Sequence, residues 1–563
     1  MRTRALLLLS LASGLALTAC STDGKSDGTD ATDGTTEPAP LPTEEEVAQL
    51  PRMDDRRLVT RLSLDLRGVR PTPAELATID ADPTALDSLI DSFVDDPRFE
   101  DRVRQIYAEV YLTRADLFAL QAVDYGLEGE PAFARAVGEE PIRLVARVAS
   151  EDRPWTDIVT ADWTMATDQT AAAWDMADHS GDGWSTARYT DGRPAAGVLS
   201  TNGMWWRYRS TDSNANRKRA NQASRILLCN DYLTRPIDFD RDVDLLDEDA
   251  VEDAINNNPG CVNCHVSLDP LSAYFFGFWN YNEDSWLEAA KYHPEREALW
   301  AAYLETPPSY YGEPGSSLGD LGRQIAADPR FAECAVEQVY TAMLRRDADL
   351  GDTDALTLHR EAFIQGDLRF KALVKSVVSD PRYRAGDSDD PLVEAAGAMP
   401  LKMVSTDQLA SQVEDLTGFA WTYADYEMLA NDLVGVRTLA GGADGVTVVR
   451  SARSPNATLV LVQERLAELS SIHAVVQAGE AGDTRLFTEV DFTETPATDR
   501  DAIVAQIQVL HASIFGRAVA ADGPEVEANI ELFEALLAID DSIPAAWAGV
   551  LMALLRDPDF LLY

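Results

Sequence analysis

The sequence predicts a mostly α, multi-domain helical protein with few short strands, and three observations carry that expectation. From Glu44 the text is helical: Thr72-Pro73-Ala74-Glu75 is a capping box with proline at the first helical position, and Leu86–Val94 returns apolar residues at three- and four-residue intervals. A short phrase recurs as Asp96-Pro97-Arg98-Phe99, Asp328-Pro329-Arg330-Phe331, Asp380-Pro381-Arg382-Tyr383 and Asp557-Pro558-Asp559-Phe560. In it proline stops one helix, aspartate can cap the next, and the aromatic can pack back against the end of the first. The phrase marks helix–turn corners, and four short matches are too few for true repeats. Strand signals are sparse: Gly445–Arg450, and Leu459–Val462, the latter ambiguous with helix.

The elements follow in chain order. Arg2 and Arg4 precede the apolar stretch Ala5–Ala19, too short to span a bilayer as a mature helix and laid out as a secretory signal, expected over residues 1–19. It ends in Leu17-Thr18-Ala19-Cys20, the shape of a bacterial lipobox. Cys20 is then the lipidated first residue of the mature chain, and its acyl chains hold the protein on a membrane. A cleaved signal with an incidental cysteine is the plainer alternative. Residues 20–43, rich in Thr, Asp, Gly and Pro, read as a disordered tether. No later segment has the ~20 uninterrupted apolar residues of a membrane span. The expected location is the cell envelope, lipid-anchored and facing the periplasm or cell surface.

Beyond the tether, 563 residues with 45% hydrophobic and 25% charged content suffice for several cores. The expected units are an N-terminal helical domain (44–150), an aromatic-rich domain (151–300), a second helical domain (301–390) and a mostly helical C-terminal domain (400–563). Lys and Arg total 48 against 95 Asp and Glu, a formal charge of −47 that repels a phosphate backbone, so nucleic acid is not an expected partner.

The aromatic-rich unit holds the strongest chemical signal, Cys261-Val262-Asn263-Cys264-His265. This is the C-x-x-C-H of c-type haem attachment. Two thiols three positions apart can add to the two vinyl groups at one haem edge, while the adjacent imidazole ligates iron. Other readings compete. A zinc half-site needs a second ligand cluster, and Cys229, Cys334, His179, His293, His359, His473 and His511 form none in sequence. A dithiol oxidoreductase needs its C-x-x-C after a strand inside a βαβ pattern, but Asn256-Asn257-Asn258-Pro259-Gly260 precedes it. A plain structural disulfide is the third. Cys229 and Cys334 are left over, and a disulfide between them is the default in an oxidising compartment.

One such motif implies one covalent haem c and one-electron work, with His265 as one axial ligand. The second ligand separates a carrier from a site open to small ligands. Candidates by type are Met165, Met204, Met343 and His293. Nine of the eleven tryptophans fall between Trp155 and Trp300 and bracket the motif, consistent with an apolar haem shell, an aromatic core or a sugar platform. No carboxylate pair, nucleophile elbow, P-loop or dinucleotide fingerprint stands out, so no catalytic residue is assigned.

Five stretches resemble the large cytochrome-c-like multi-domain proteins of planctomycetes and myxobacteria, assembled from domains of unknown function. They are Arg61-Leu62-Ser63-Leu64-Asp65-Leu66-Arg67-Gly68-Val69-Arg70-Pro71-Thr72-Pro73; Arg153-Pro154-Trp155-Thr156-Asp157 with Thr160-Ala161-Asp162-Trp163-Thr164; Gly197-Val198-Leu199-Ser200-Thr201 with Asn214-Ala215-Asn216-Arg217; Cys261 to Pro270; and Arg330-Phe331-Ala332-Glu333-Cys334 through Arg345. The likeness covers about residues 50–390. It implies a membrane-anchored or secreted cytochrome-like protein whose relatives are often discussed alongside complex-substrate breakdown at the cell surface, and which often has a sulfatase-like companion. Asp269 reads as a helix or turn cap beside the haem.

Two functions from different classes are thus expected. One is a lipid-anchored monohaem c-type cytochrome passing single electrons, its acidity favouring a basic redox partner through salt-sensitive association. The other is a haem-free surface scaffold or glycan- or protein-binding lipoprotein.

Overall fold

Side-chain caps set the first helices. Asp54 accepts the Arg57 N–H and opens α1 (Asp55–Arg67), which Gly68 closes in the left-handed conformation (φ 74°). Thr72 and Glu75 exchange the two bonds of the expected capping box at the start of α2 (Pro73–Ala81). The three- and four-residue pattern becomes α3 (Leu86–Asp95), which buries Leu86, Leu89, Ile90, Phe93 and Val94. After it come α4 (Arg98–Tyr111), α5 (Glu130–Ser150), α6 (Arg217–Leu228), α7 (Pro259–Ser272), α8 (Leu318–Ala327), α9 (Pro329–Leu344), α10 (Thr353–Gln365) and α11 (Phe370–Val377). The C-terminal part is α12 (Thr406–Thr417), α13 (Ala457–Ala481), α14 (Arg500–Phe515), α15 (Pro524–Asp540) and α16 (Ile543–Arg556).

This computed structural model describes residues 41–563 apart from 115–117, 119, 235–242, 245–246, 281–287, 289–290, 388, 425 and 432–434. The expected signal (1–19), the lipidation site Cys20 and nearly all of the tether (20–43) lie outside the described residues. The chain from Pro42 to Tyr563 is one compact unit. It is mostly α: among the described residues the sheets are three antiparallel two-stranded pairs, Thr164–Ala166 with Ser185–Ala187, Ser309–Tyr310 with Glu313–Pro314, and Thr422–Tyr423 with Tyr426–Glu427. None of these is an expected strand. At 445–450 the Asp444 carboxylate accepts the N–H groups of Val446, Thr447 and Val448, taking donors that a ladder would need. Leu459–Val462 resolves as helix, because Asn456 caps α13 and Leu459, Val462, Leu466 and Ser470 then share its buried face.

All four Asp-Pro corners take the expected geometry. The aspartate side chain accepts the backbone N–H two residues on, at Arg98, Arg330, Arg382 and Asp559, and the aromatics Phe99, Phe331, Tyr383 and Phe560 are buried. Arg98 and Arg330 also turn back onto Asp96 and Asp328.

Two large cores result. The first gathers residues from Met53 to Tyr383 and draws on all three segments expected within 44–390; the second joins Leu64 to residues from Met403 to Tyr563. The helix α1 therefore faces both, with Leu62 and Leu66 in one core and Leu64 in the other. Close packing against α5 needs Gly203: a Cβ there would sit 2.0 Å from the Val137 carbonyl oxygen, which Pro141 inside α5 leaves without its helical donor. The tryptophans are spread over separate packing sites. Trp155 stacks on Phe370, Trp205 meets Phe275 edge-on, Trp174 packs with Phe133, and Trp279 stacks on Phe276. They serve several aromatic cores, and Trp286 lies outside the described residues.

A sulfur bridge and a buried ion cluster brace the first core. Cys229, the left-handed cap of α6, is disulfide-bonded to Cys334 on α9 across 105 residues. Cys334→Ser is expected to lower stability by about 2–5 kcal/mol, read from the urea midpoint, because the open chain regains the entropy of that loop. Glu139 is buried among arginines, at 2.8 Å from Arg104 and 3.1 Å from Arg143. Although burial opposes ionisation, Arg104, Arg143, Arg114 and Arg135 together hold its carboxyl down at about 2 against an ordinary 4.5. This stability is complete above pH 4.5 and is lost as pH falls towards 2. Acid titration of unfolding should therefore be less steep in Glu139→Gln over that window.

Candidate functional site

The Cys261–His265 motif occupies the first two turns of α7. Asn258 starts the helix by accepting the Gly260 N–H at 2.9 Å, and Pro259 takes the position where no donor is needed. A helix, Glu248–Asn257, precedes it where a dithiol oxidoreductase would place a strand. Cys261 and Cys264 are free thiols of intermediate exposure, three residues apart and so on one side of the helix. Cys264 leans on the main core, while Val266 on another face is 68% exposed.

The imidazole of His265 is held by a relay that spacing alone does not reveal. Its Nδ1 lies 2.9 Å from Asp269 Oδ1, one helical turn on. Asp269 also receives a fork from Arg217, the first residue of α6, with Nε at 2.7 Å and Nη2 at 3.0 Å. Burial works against the Asp269 carboxylate, but the bonds from His265 and Arg217 keep its pKa below the ordinary 3.8. An ionised carboxylate only accepts, so Nδ1 must carry the proton and the lone pair of the neutral ring is on Nε2. The side chain of His265 is 23% exposed, and among the described residues nothing hydrogen-bonds its Nε2, which leaves that nitrogen for a ligand.

Asp269 was expected to cap a helix or turn; its side chain instead orients His265, and only its backbone carbonyl serves the helix end, accepting from Ser272 and Ala273. Arg217 is the functional residue that the motif does not announce. The readable signal was the four-residue step from His265 to Asp269, which on a helix makes the two side chains neighbours.

The donor set fits covalent haem: two unpaired thiols on one helical side, and beside them an imidazole fixed in the tautomer that metal ligation requires. The candidate second ligands have packing and hydrogen-bond partners of their own. Met204 and Met343 are buried in the main core, and Met165 is buried on the first strand. Both ring nitrogens of His293 are engaged, Nδ1 with Glu295 at 3.0 Å and Nε2 with the Glu288 carbonyl at 2.9 Å. Among the described residues no group of three or more His, Cys, Asp or Glu is placed to hold a metal ion by itself, and no helix is long and apolar enough to cross a membrane.

One comparison bears on the N-terminal helices. Residues 42–123 match the family model PSCyt2, a protein of unknown function (DUF1549). The PSCyt2 segment contains α1 to α4 and the first Asp-Pro corner, and it stops short of the Cys261–His265 motif. No curated protein and no solved structure matches the chain.

Proposed function

We propose that this protein is a lipid-anchored monohaem c-type cytochrome-like protein that transfers single electrons at the cell envelope. The observation that carries the reading is the oriented imidazole of His265, its Nε2 open, beside two unpaired thiols on one side of α7. When bound, haem c supplies reversible one-electron exchange at iron. Cys261 and Cys264 would hold it covalently, each S–H adding across one vinyl double bond. His265 would ligate from Nε2, while Asp269 and Arg217 keep the ring from turning and retain the proton on Nδ1.

The rest of the chain favours the same role. A charge of −47 suits docking to a basic redox partner, with affinity that falls as salt rises. The Leu17–Cys20 sequence supports attachment through lipid at the membrane. A sulfatase-like companion belongs to the same proposal through the family resemblance.

The test is to export the full chain in a host with a cytochrome c maturation system and record its spectrum. A Soret band, a reduced α-band and an intact mass raised by one haem support the proposal. A colourless, fully folded product of unmodified mass at residues 261 and 264 would sink it and leave a haem-free surface scaffold.

A further inference from the structure

A cleft of about 810 Å³ has none of the Cys261–His265 motif residues in its lining. Its walls are α4, α6, α9 and the loop at 449–453. In a chain whose carboxylates outnumber its cations two to one, this cleft reverses the balance: six arginines line it against four carboxylates. The reversal is sharper than the count, because three of those arginines have no carboxylate of the described residues within ion-pair distance.

Arg102 gives its hydrogen bonds to the Asp65 carbonyl and the Gln105 amide oxygen. Arg207 donates to the carbonyls of Leu112 and Gly445. Arg225 donates to Gln222, the Val110 carbonyl and the Tyr208 hydroxyl. Neutral acceptors fix these guanidinium groups in place without cancelling their charge. A fourth, Arg345, ends α9 in the left-handed conformation with its Nε buried and unpartnered, and its nearest carboxylate, Glu109, is 3.8 Å away.

The acidic groups of the cleft do little to offset them. Asp347 is already shared by Arg450 and Arg453 at the rim, at 2.9 and 2.8 Å. Asp231 accepts from Asn221 and from the Leu233 N–H. Burial and the nearby Asp347 push the Glu337 carboxyl upward, towards its neutral form. Guanidinium groups held apart by neutral anchors around an open volume are suited to fork onto oxyanions.

We propose that this cleft is a binding site for a small molecule carrying two or more carboxylate or phosphate groups. Residues on three helices meet there, and the Cys229–Cys334 bridge ties two of those helices together at the wall. The site is separate from haem attachment and does not depend on it.

Calorimetric titration of the full chain tests this with citrate and inorganic pyrophosphate, and with glucose as the neutral control, at matched ionic strength. Binding of either anion but not glucose is expected, weakening as salt is raised. Citrate alone would assign carboxylates and pyrophosphate alone phosphates. Arg225→Gln should weaken binding by about tenfold or more, and Arg225→Lys by less. Because Arg225 also anchors Val110 and Tyr208, a second pair leaves every arginine in place. Thr341→Glu puts a carboxylate on the cleft wall and should weaken binding by about tenfold, while Thr341→Gln leaves it unchanged. Absence of heat from both anions at millimolar concentration, or equal affinity in Thr341→Glu and the parent, would overturn the proposal. The readout is heat, so the result is independent of whether the chain carries haem.

Discussion

The double variant Cys261→Ala/Cys264→Ala, exported with a cytochrome c maturation system, is expected to carry no covalent haem. Its intact mass should fall below that of the parent by one haem, and haem staining after denaturing electrophoresis should vanish, while its circular dichroism stays that of the parent. The fold is expected to survive because both thiols are only partly buried and Cys264 touches the core at its edge. Asp269→Asn separates attachment from tuning. Both thiols remain, so the haem should still be bound, but Nδ1 loses an anionic acceptor and the imidazole becomes a poorer donor to the oxidised iron. The midpoint potential should therefore rise, measurable by spectroelectrochemistry. Covalent haem on the double variant would show that attachment lies elsewhere, and an unchanged potential in Asp269→Asn would remove the relay from the electronic role assigned to it.

The second large effect concerns a buried polar junction between the two cores. Asp65 on α1 is 1% exposed; its carboxylate receives the Lys402 ammonium, the Tyr383 hydroxyl at 2.9 Å and the Tyr563 hydroxyl at 2.7 Å. Lys402 also donates to the Met343 carbonyl, and it pairs its backbone with Tyr563 in both directions. The junction thus ties a helix of the PSCyt2 segment to the second Asp-Pro-Arg-aromatic corner of the 328–383 region, to α9 and to the last residue of the chain. Removing the carboxylate strands a buried ammonium and two phenols at once. Asp65→Ala should cost about 3–5 kcal/mol, visible as a lowered urea midpoint. Lys402→Met should cost less, because Asp65 keeps both phenols as donors and no cation is left unpaired.

The same junction sets a pH dependence with a definite sign. Burial pushes the Lys402 ammonium down from 10.5 to about 7, against the opposing pull of Asp65. Between those two values the unfolded chain binds more protons than the folded one, so stability contributed at this site rises with pH from 7 towards 10.5. Unfolding free energies measured across that interval should show this slope in the parent and lose it in Lys402→Met.

The capping box at Thr72, the apolar spacing of Leu86–Val94 and the four Asp-Pro corners all became what their local chemistry predicts, because each acts over four or five residues and needs no distant partner. The misplaced strand at 445–450 failed for a complementary reason: β-branched residues encourage an extended backbone, but a ladder also needs a neighbouring strand, and Asp444 claimed the donors first. The tryptophan cluster was dense in sequence yet is dispersed in space, since packing distributes large rings to whichever core has room for them.

The sequence by itself determined the helical class, the helix corners and the chemical identity of the Cys261–His265 donors, all of which rest on short-range spacing. Only the tertiary structure decided that Arg217 fixes Asp269 and so orients His265, that Cys229 meets Cys334 across 105 residues, that Asp65 holds the two cores together, and that uncompensated arginines gather at one cleft. These partners lie tens to hundreds of residues apart. Their pairing reflects where burial brings charges and thiols together, a consequence of long-range packing that local pattern does not encode.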